Sequence, residues 1–136
     1  TPQENSLGEQ DESDVKNLIQ GVFDDVWGGM DSTKILQYHT EDFTILENGE
    51  VWDNERITQF VKERSQNNYL PLRINEMDYI TMEQYGNAIY TTYNNYARFE
   101  QNDSIVGNAQ WLESALAIKT PEGWRLKSMH STYVRN

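Results

Sequence analysis

The sequence predicts an α+β domain, and three observations predict it. Val15, Leu18, Ile19, Val22, Phe23, Val26 and Trp27 recur at helical spacing and form one apolar stripe. From Leu72 onward the period becomes strand-like, with long runs rich in Tyr and Thr that suit a pleated surface. The connections in that second half are short and carry Gly, Asn and Pro, as antiparallel hairpins require. Helices first and strands afterwards is the α+β order, and amphipathic helices need a sheet to cover.

The elements follow in order. Residues 1–13 are polar and acidic without periodicity, and read as a disordered acidic tail ahead of one domain spanning 14–136. Ser13 can cap the first helix, Asp14 suits its dipole, and Gly28-Gly29 stops it. Asp31 or Ser32 caps a second, short helix carrying Ile35, Leu36 and either Tyr38 or His39. "DFTILE" alternates as a strand, and Asn48-Gly49 is a tight-turn signal. Val51-Trp52 resumes an extended run. Asp53 then caps a third helix with Ile57, Phe60 and Val61 on one face. That helix ends near Asn67-Asn68, and Pro71 opposes its continuation. Strands follow over 73–83, 88–100, 107–119 and 124–134, with turns at Tyr85-Gly86-Asn87, at 101–104 and at "TPEG".

Composition narrows the function classes. The net charge is −11, with 22 acids against 11 bases, and no cluster of Lys and Arg is present. Nucleic acid and anionic membrane are therefore poor partners, since phosphate binding needs such clusters. There is no cysteine, which excludes disulfides, thiolate metal sites and a Cys nucleophile. No stretch approaches the length of a membrane span. Two histidines and the pair Glu41-Asp42 match no metal-ligand spacing, so no metal and no cofactor are expected. "TPQENSLGEQDES" resembles the spacer that follows a cleaved export signal, which leaves a periplasmic or extracellular location open.

Two local patterns carry a resemblance. "ILQYHTEDFTILENGEVW" reads as a short helix ending in an acidic pair, then a strand and a Gly turn. "EGWRLKSMHST" is similar to a Gly-x-Trp-x-x-x-x-x-His-x-Ser ending, with Glu122-Gly123-Trp124 and His130-Ser131 as the corresponding residues. Together they resemble the nuclear transport factor 2-like superfamily. That group includes SnoaL-like and ketosteroid isomerase-like proteins and the association domain of calcium/calmodulin-dependent kinase. The resemblance implies a cone-shaped half-barrel: a curved antiparallel sheet with about three N-terminal helices packed on its concave face. It also implies an apolar pocket at the open end of the cone. The superfold hosts enzymes, binding modules and assembly domains alike, so it does not settle function.

Candidate site residues come from parity and from this resemblance. Phe43, Ile45 and Glu47 share one face of their strand, so Glu47 either enters the pocket or opens the turn toward water. The resemblance places Glu47 where the isomerases carry their catalytic base, which works only when burial raises its pKa. It places Phe23 where they carry a Tyr donor to the oxyanion, and Phe has no donor. On the last strand Trp124, Leu126, Ser128 and His130 form the more apolar parity, so His130 and Ser128 are expected inward. Either parity of the 107–119 strand can face the core. If Trp111, Glu113, Ala115 and Ala117 do, Glu113 enters the pocket; otherwise it meets Arg125 or Lys127 outside. Arg98 and Arg73 are possible partners for an inward acid. Trp27 and Tyr38 at helix ends, and Trp52 beside Glu47, complete the expected lining.

These residues imply a small-molecule-binding domain with an apolar, aromatic pocket. With Glu47, Glu113 and His130 as its polar groups, a ligand with donors or a positive group fits better than a simple carboxylate. An isomerase, cyclase or hydrolase using Glu47 as base and His130 as orienting partner is the alternative. A dimeric assembly module with a vestigial pocket is another. The superfamily implies a homodimer through the convex sheet face, where Tyr93 and Phe99 are expected.

Overall fold

The computed structural model describes residues 7–135. Helix α1 (Glu9–Val22) continues as a single π-helical turn (Phe23–Gly28). A 3-10 turn (Ser32–Lys34) leads into α2 (Ile35–Tyr38), followed by β1 (His39–Glu47), β2 (Glu50–Asp53) and α3 (Asn54–Ser65). The remaining strands are β3 (Leu72–Tyr85), β4 (Ala88–Gln101), β5 (Ser104–Thr120) and β6 (Gly123–Tyr133). They form one curved, unclosed six-stranded sheet in the order β2-β1-β6-β5-β4-β3. The expected α+β architecture is present, with the helices on one face.

The sheet is antiparallel except where β1 pairs with β6 in parallel. That pairing inserts the first strand beside the last and joins the two halves of the chain. The core lies between the helices and the covered face. Val15, Ile19, Val22 and Val26 from the first helical segment and Ile57 and Val61 from α3 meet Phe43, Ile45, Ile89 and Leu126 from the sheet. Burying each such side chain contributes about 1.5–3 kcal/mol. Asp53 caps α3 through a bond from the Arg56 amide at 2.8 Å, as its sequence position predicts.

Three expectations need correction. Residues 9–13 are not tail: α1 begins at Glu9, with Gly8 at its N-cap. Tertiary contacts win there over composition. The Gly8 amide donates to Gln84 Oε1 at 2.9 Å, and Asp11 accepts from Gln84 and from the Trp124 indole. Residues 1–6 lie outside the described residues.

The second correction concerns β6. Leu126 pairs with Ala117 and Ser128 with Leu116, leaving Lys127 as an extra residue. This bulge reverses parity. Trp124 and Leu126 point inward as expected, but beyond the bulge Met129 and Ser131 do, and His130 is exposed.

The third concerns β4. Tyr93 is fully buried and Phe99 lines the cavity described below, so neither belongs to the convex face. That face carries the opposite parity, with Tyr90, Tyr96, Leu112 and Leu46 exposed.

Candidate functional site

The opening between the helices and the concave sheet face is a cavity of about 490 Å³. The π turn builds one wall. Widening the helix there turns Phe23 and Trp27 toward the space and brings Gly28 against β3. π-helical turns recur at functional sites because they re-aim side chains. Trp27 and Trp52 both pack on Phe60 of α3, at centroid distances of 6.0 and 5.4 Å, and form an aromatic corner. Arg56 stacks 4.0 Å over Trp52 and holds it from behind.

Glu47 faces this cavity at the end of β1, following Phe43 and Ile45 on the inward parity. Partial burial pushes its pKa up. The positive charge of Arg73 opposes that shift, and Glu50 adds to it.

The β5 parity is decided in favour of Trp111, Glu113, Ala115 and Ala117. Glu113 is 6% exposed and lies at the cavity floor. Its Oε2 accepts from Ser131 Oγ at 2.7 Å and its Oε1 from Asn95 Nδ2 at 3.2 Å. Burial raises its pKa; those two bonds and Arg73 pull the other way. The Tyr93 hydroxyl is sealed beside Glu113, short of a well-formed hydrogen bond, and it too favours the Glu113 charge. Neither Arg125 nor Lys127 meets Glu113. Arg125 donates to the Trp124 carbonyl, and Lys127 pairs with Asp42.

Among the residues that sequence reasoning did not place in the site, with Phe99 and Ser131, is Arg73. It was foreseen only as a possible partner for an inward acid, alongside Arg98, which instead pairs with Glu100 at 2.6 Å. Arg73 lines the cavity with its guanidinium 4.9 Å from the Trp111 ring centroid, 5.8 Å from Phe99 and 5.9 Å from Phe23. Burial pulls it down to about 10, against the charges of Glu113 and Glu47, so it remains a cation at neutral pH. Its Nε donates to Asn75 Oδ1 at 2.9 Å. Among the described residues no carboxylate lies within ion-pair distance of it. The available signal was the parity of β3, where Arg73 shares a face with buried Asn75 and half-buried Met77 and Tyr79.

Of the expected site residues, Glu47, Trp27, Trp52, Trp111 and Glu113 converge on the cavity. Tyr38 does not. Its ring lies against Gly21 and its hydroxyl donates to Asp25 on the helical side. Ser128 and His130 do not either, because the Lys127 bulge turns them to the other face. Ser131 takes the inward place.

No family model matches the chain, and no curated protein matches it. Solved structures do. A CamKII hub homology domain from Chlamydamonas reinhardtii aligns with a TM-score of 0.77 at 17% identity, covering 91% of this chain and 98% of that one. An NTF2-like protein with a cystatin-like fold from Novosphingobium aromaticivorans gives 0.76 at 12% identity, over 93% and 84% of the two chains. An NTF2-like protein of unknown function from Prochlorococcus marinus gives 0.71 at 13% identity, over 96% of each. At such identities the likeness is one of fold, and it is the fold that the two sequence patterns led us to expect.

Proposed function

We propose that this chain, a nuclear transport factor 2-like fold, serves as a small-molecule-binding domain. Its cone cavity takes a compact, largely apolar or aromatic molecule with an anionic group at Arg73 and a hydrogen-bond donor toward Glu47. The observation that carries this reading is the Arg73 guanidinium, boxed by Phe23, Phe99 and Trp111 with no carboxylate partner among the described residues. A half-buried charge walled by aromatic rings and without an ion-pair partner is costly, and a bound anion supplies the missing one. Arg73 also changes the ligand expected from sequence: with His130 outside, the cavity's charged groups are Glu47, Glu50 and Glu113 opposed by Arg73 and Arg64. Glu47 still favours a donor on the ligand, so the two expectations combine in one bifunctional molecule. The ending "EGWRLKSMHST" supports a place within the SnoaL-like group.

The test uses phenylacetate, 4-hydroxyphenylacetate and tyramine as probes, with affinity measured by calorimetry. The two carboxylates are expected to bind. Arg73→Met should weaken both roughly 10- to 100-fold, the equivalent of one hydrogen bond to a charged group. Glu47→Gln should weaken the hydroxylated probe more than phenylacetate. Preferential binding of tyramine that survives Arg73→Met would overturn the reading.

A catalytic reading is favoured by one observation: the half-buried Glu47, its pKa raised, at the mouth of an enclosed apolar space. That is the environment a general base requires. Against it, Phe23 offers no donor to a developing oxyanion. Turnover abolished by Glu47→Gln, on any substrate the cavity accepts, would establish this reading.

A further inference from the structure

A chain of side chains runs beneath the cavity with every hydrogen bond pointing the same way. Arg73 can only donate, so Asn75 must present its Oδ1 to Arg73 Nε. Asn75 Nδ2 is then left to donate to Asn95 Oδ1 at 2.7 Å, and Asn95 Nδ2 to donate to Glu113 Oε1 at 3.2 Å. Asn95 is thereby locked as a donor. Ser131, which donates to Oε2 at 2.7 Å, is not locked, because a hydroxyl can turn and accept instead. A proton placed on Oε2 therefore finds an acceptor already in position, on a residue that lines the cavity.

Arg73 is the cation that opposes the charge of Glu113. An anion seated on Arg73 offsets that support and brings a negative charge of its own close to the buried Glu113, where like charges do not coexist cheaply. We propose that a carboxylate binding at Arg73 takes up a proton from solvent onto Glu113 Oε2, with Ser131 Oγ reversing from donor to acceptor. The ligand arrives as an anion and the cavity gains no net charge. This rests on the anion-binding reading above.

Glu113 is the acceptor of that proton rather than Glu47. Glu47 is half hydrated, so water screens the arriving charge, and it has no hydrogen-bond partner poised to reverse. The polar and charged groups around Glu113 are Tyr93 and Asn95 from β4, Ser131 from β6 and Arg73 from β3. Glu47 of β1 and Arg64 of α3 act on it through Arg73. The helical wall adds the apolar Phe23, Trp27, Met30 and Phe60, and Arg64 is its one charged group on the cavity among the described residues. The side-chain amide of Gln fits the same bonds, donating to Ser131 and accepting from Asn95, so Glu113→Gln imitates the protonated state.

The experiment is calorimetry of phenylacetate binding in buffers of different ionisation enthalpy near neutral pH. Phenylacetate is already ionised there, so protons taken up belong to the protein. The wild-type chain is expected to take up protons on binding the ligand, and its affinity to rise as pH falls. In Glu113→Gln the buffer dependence and the pH slope should vanish while binding persists at least as tightly. Glu47→Gln should leave the uptake in place. Binding without proton uptake by the wild type overturns the inference while sparing the anion reading, and that measurement needs no variant to fold. Uptake that survives Glu113→Gln, or that disappears only in Glu47→Gln, also overturns it, as does loss of binding in Glu113→Gln. Failure of phenylacetate to bind the wild type overturns both readings.

Discussion

His39 shows how a single side chain can set the acid limit of the fold. It is 2% exposed and stacked on Phe43, with ring centroids 3.6 Å apart. Asn54 donates its Nδ2 to the Thr40 and Glu41 carbonyls, so its Oδ1 must be the acceptor for His39 Nδ1. That assigns the proton to Nδ1 and leaves Nε2 as a sealed lone pair without a partner. Burial, partly opposed by the Asn54 bond, pulls the pKa down from 6.5 to about 4. Above the unfolded value both states are neutral and the residue is without effect on pH dependence. As pH falls from 6.5 toward 4 only the unfolded chain takes the proton, and stability is lost, up to about 3 kcal/mol in total. Urea midpoints of the wild type should therefore fall more steeply over this window than those of His39→Gln; parallel curves would refute the assignment. The sequence disclosed that His39 sits at a helix-strand junction, but not that Asn54 would fix its tautomer. Such pairings depend on tertiary contact, and so did the placement of Tyr38, whose ring is held by Gly21 and whose hydroxyl by Asp25.

At the scale of elements, the helix-to-π transition is the piece on which the cavity depends. Gly28 closes the turn so tightly that a Cβ there would lie 2.9 Å from the Phe23 carbonyl oxygen and 3.3 Å from that of Arg73. Both are backbone atoms and cannot swing aside. Gly28→Ala should push the turn off β3 at a cost of about 1–3 kcal/mol. It should also weaken phenylacetate, because Phe23 and Arg73 move together; a lower melting temperature with unchanged affinity would separate wall from site. The elements themselves were legible. The apolar stripe, the caps at Asp31 and Asp53 and the change of period after Leu72 are local signals, and the helices and strands follow them closely. The phase of β6 was not legible. A bulge is chosen by pairing with β5 and β1, which no window of β6 alone reports. This is why simple alternation holds for Trp124 and Leu126 and fails for Ser128 and His130. The parity of β5 was undecided for a similar reason, since both of its faces carry apolar residues.

For the molecule as a whole, the two sheet faces divide the work. The covered face holds the cavity, and the open face presents Leu46, Leu112, Tyr90 and Tyr96 to solvent. Exposed apolar groups gathered on one sheet face favour association with a second copy, the homodimer we propose for this surface. Sedimentation should show a dimer at micromolar concentration. Leu112→Glu, which places a charge in the middle of that face, should yield monomers that still bind phenylacetate. A wild type that stays monomeric at high concentration would remove the dimer without touching the cavity. The overall net charge of −11 works against such association, so the dimer should tighten with added salt.

Lys127 is a lone supernumerary position in a strand, yet the chemistry of the interior is keyed to it. Were the strand to pair flush with β5, without setting that lysine aside, everything downstream would shift by a single step, carrying an imidazole indoors and sending the serine that holds Glu113 out to water. The protein's inner surface is thus written in the pairing of its last strand as much as in its letters, and a relative that paired the same residues without the bulge would line its interior differently under the same roof.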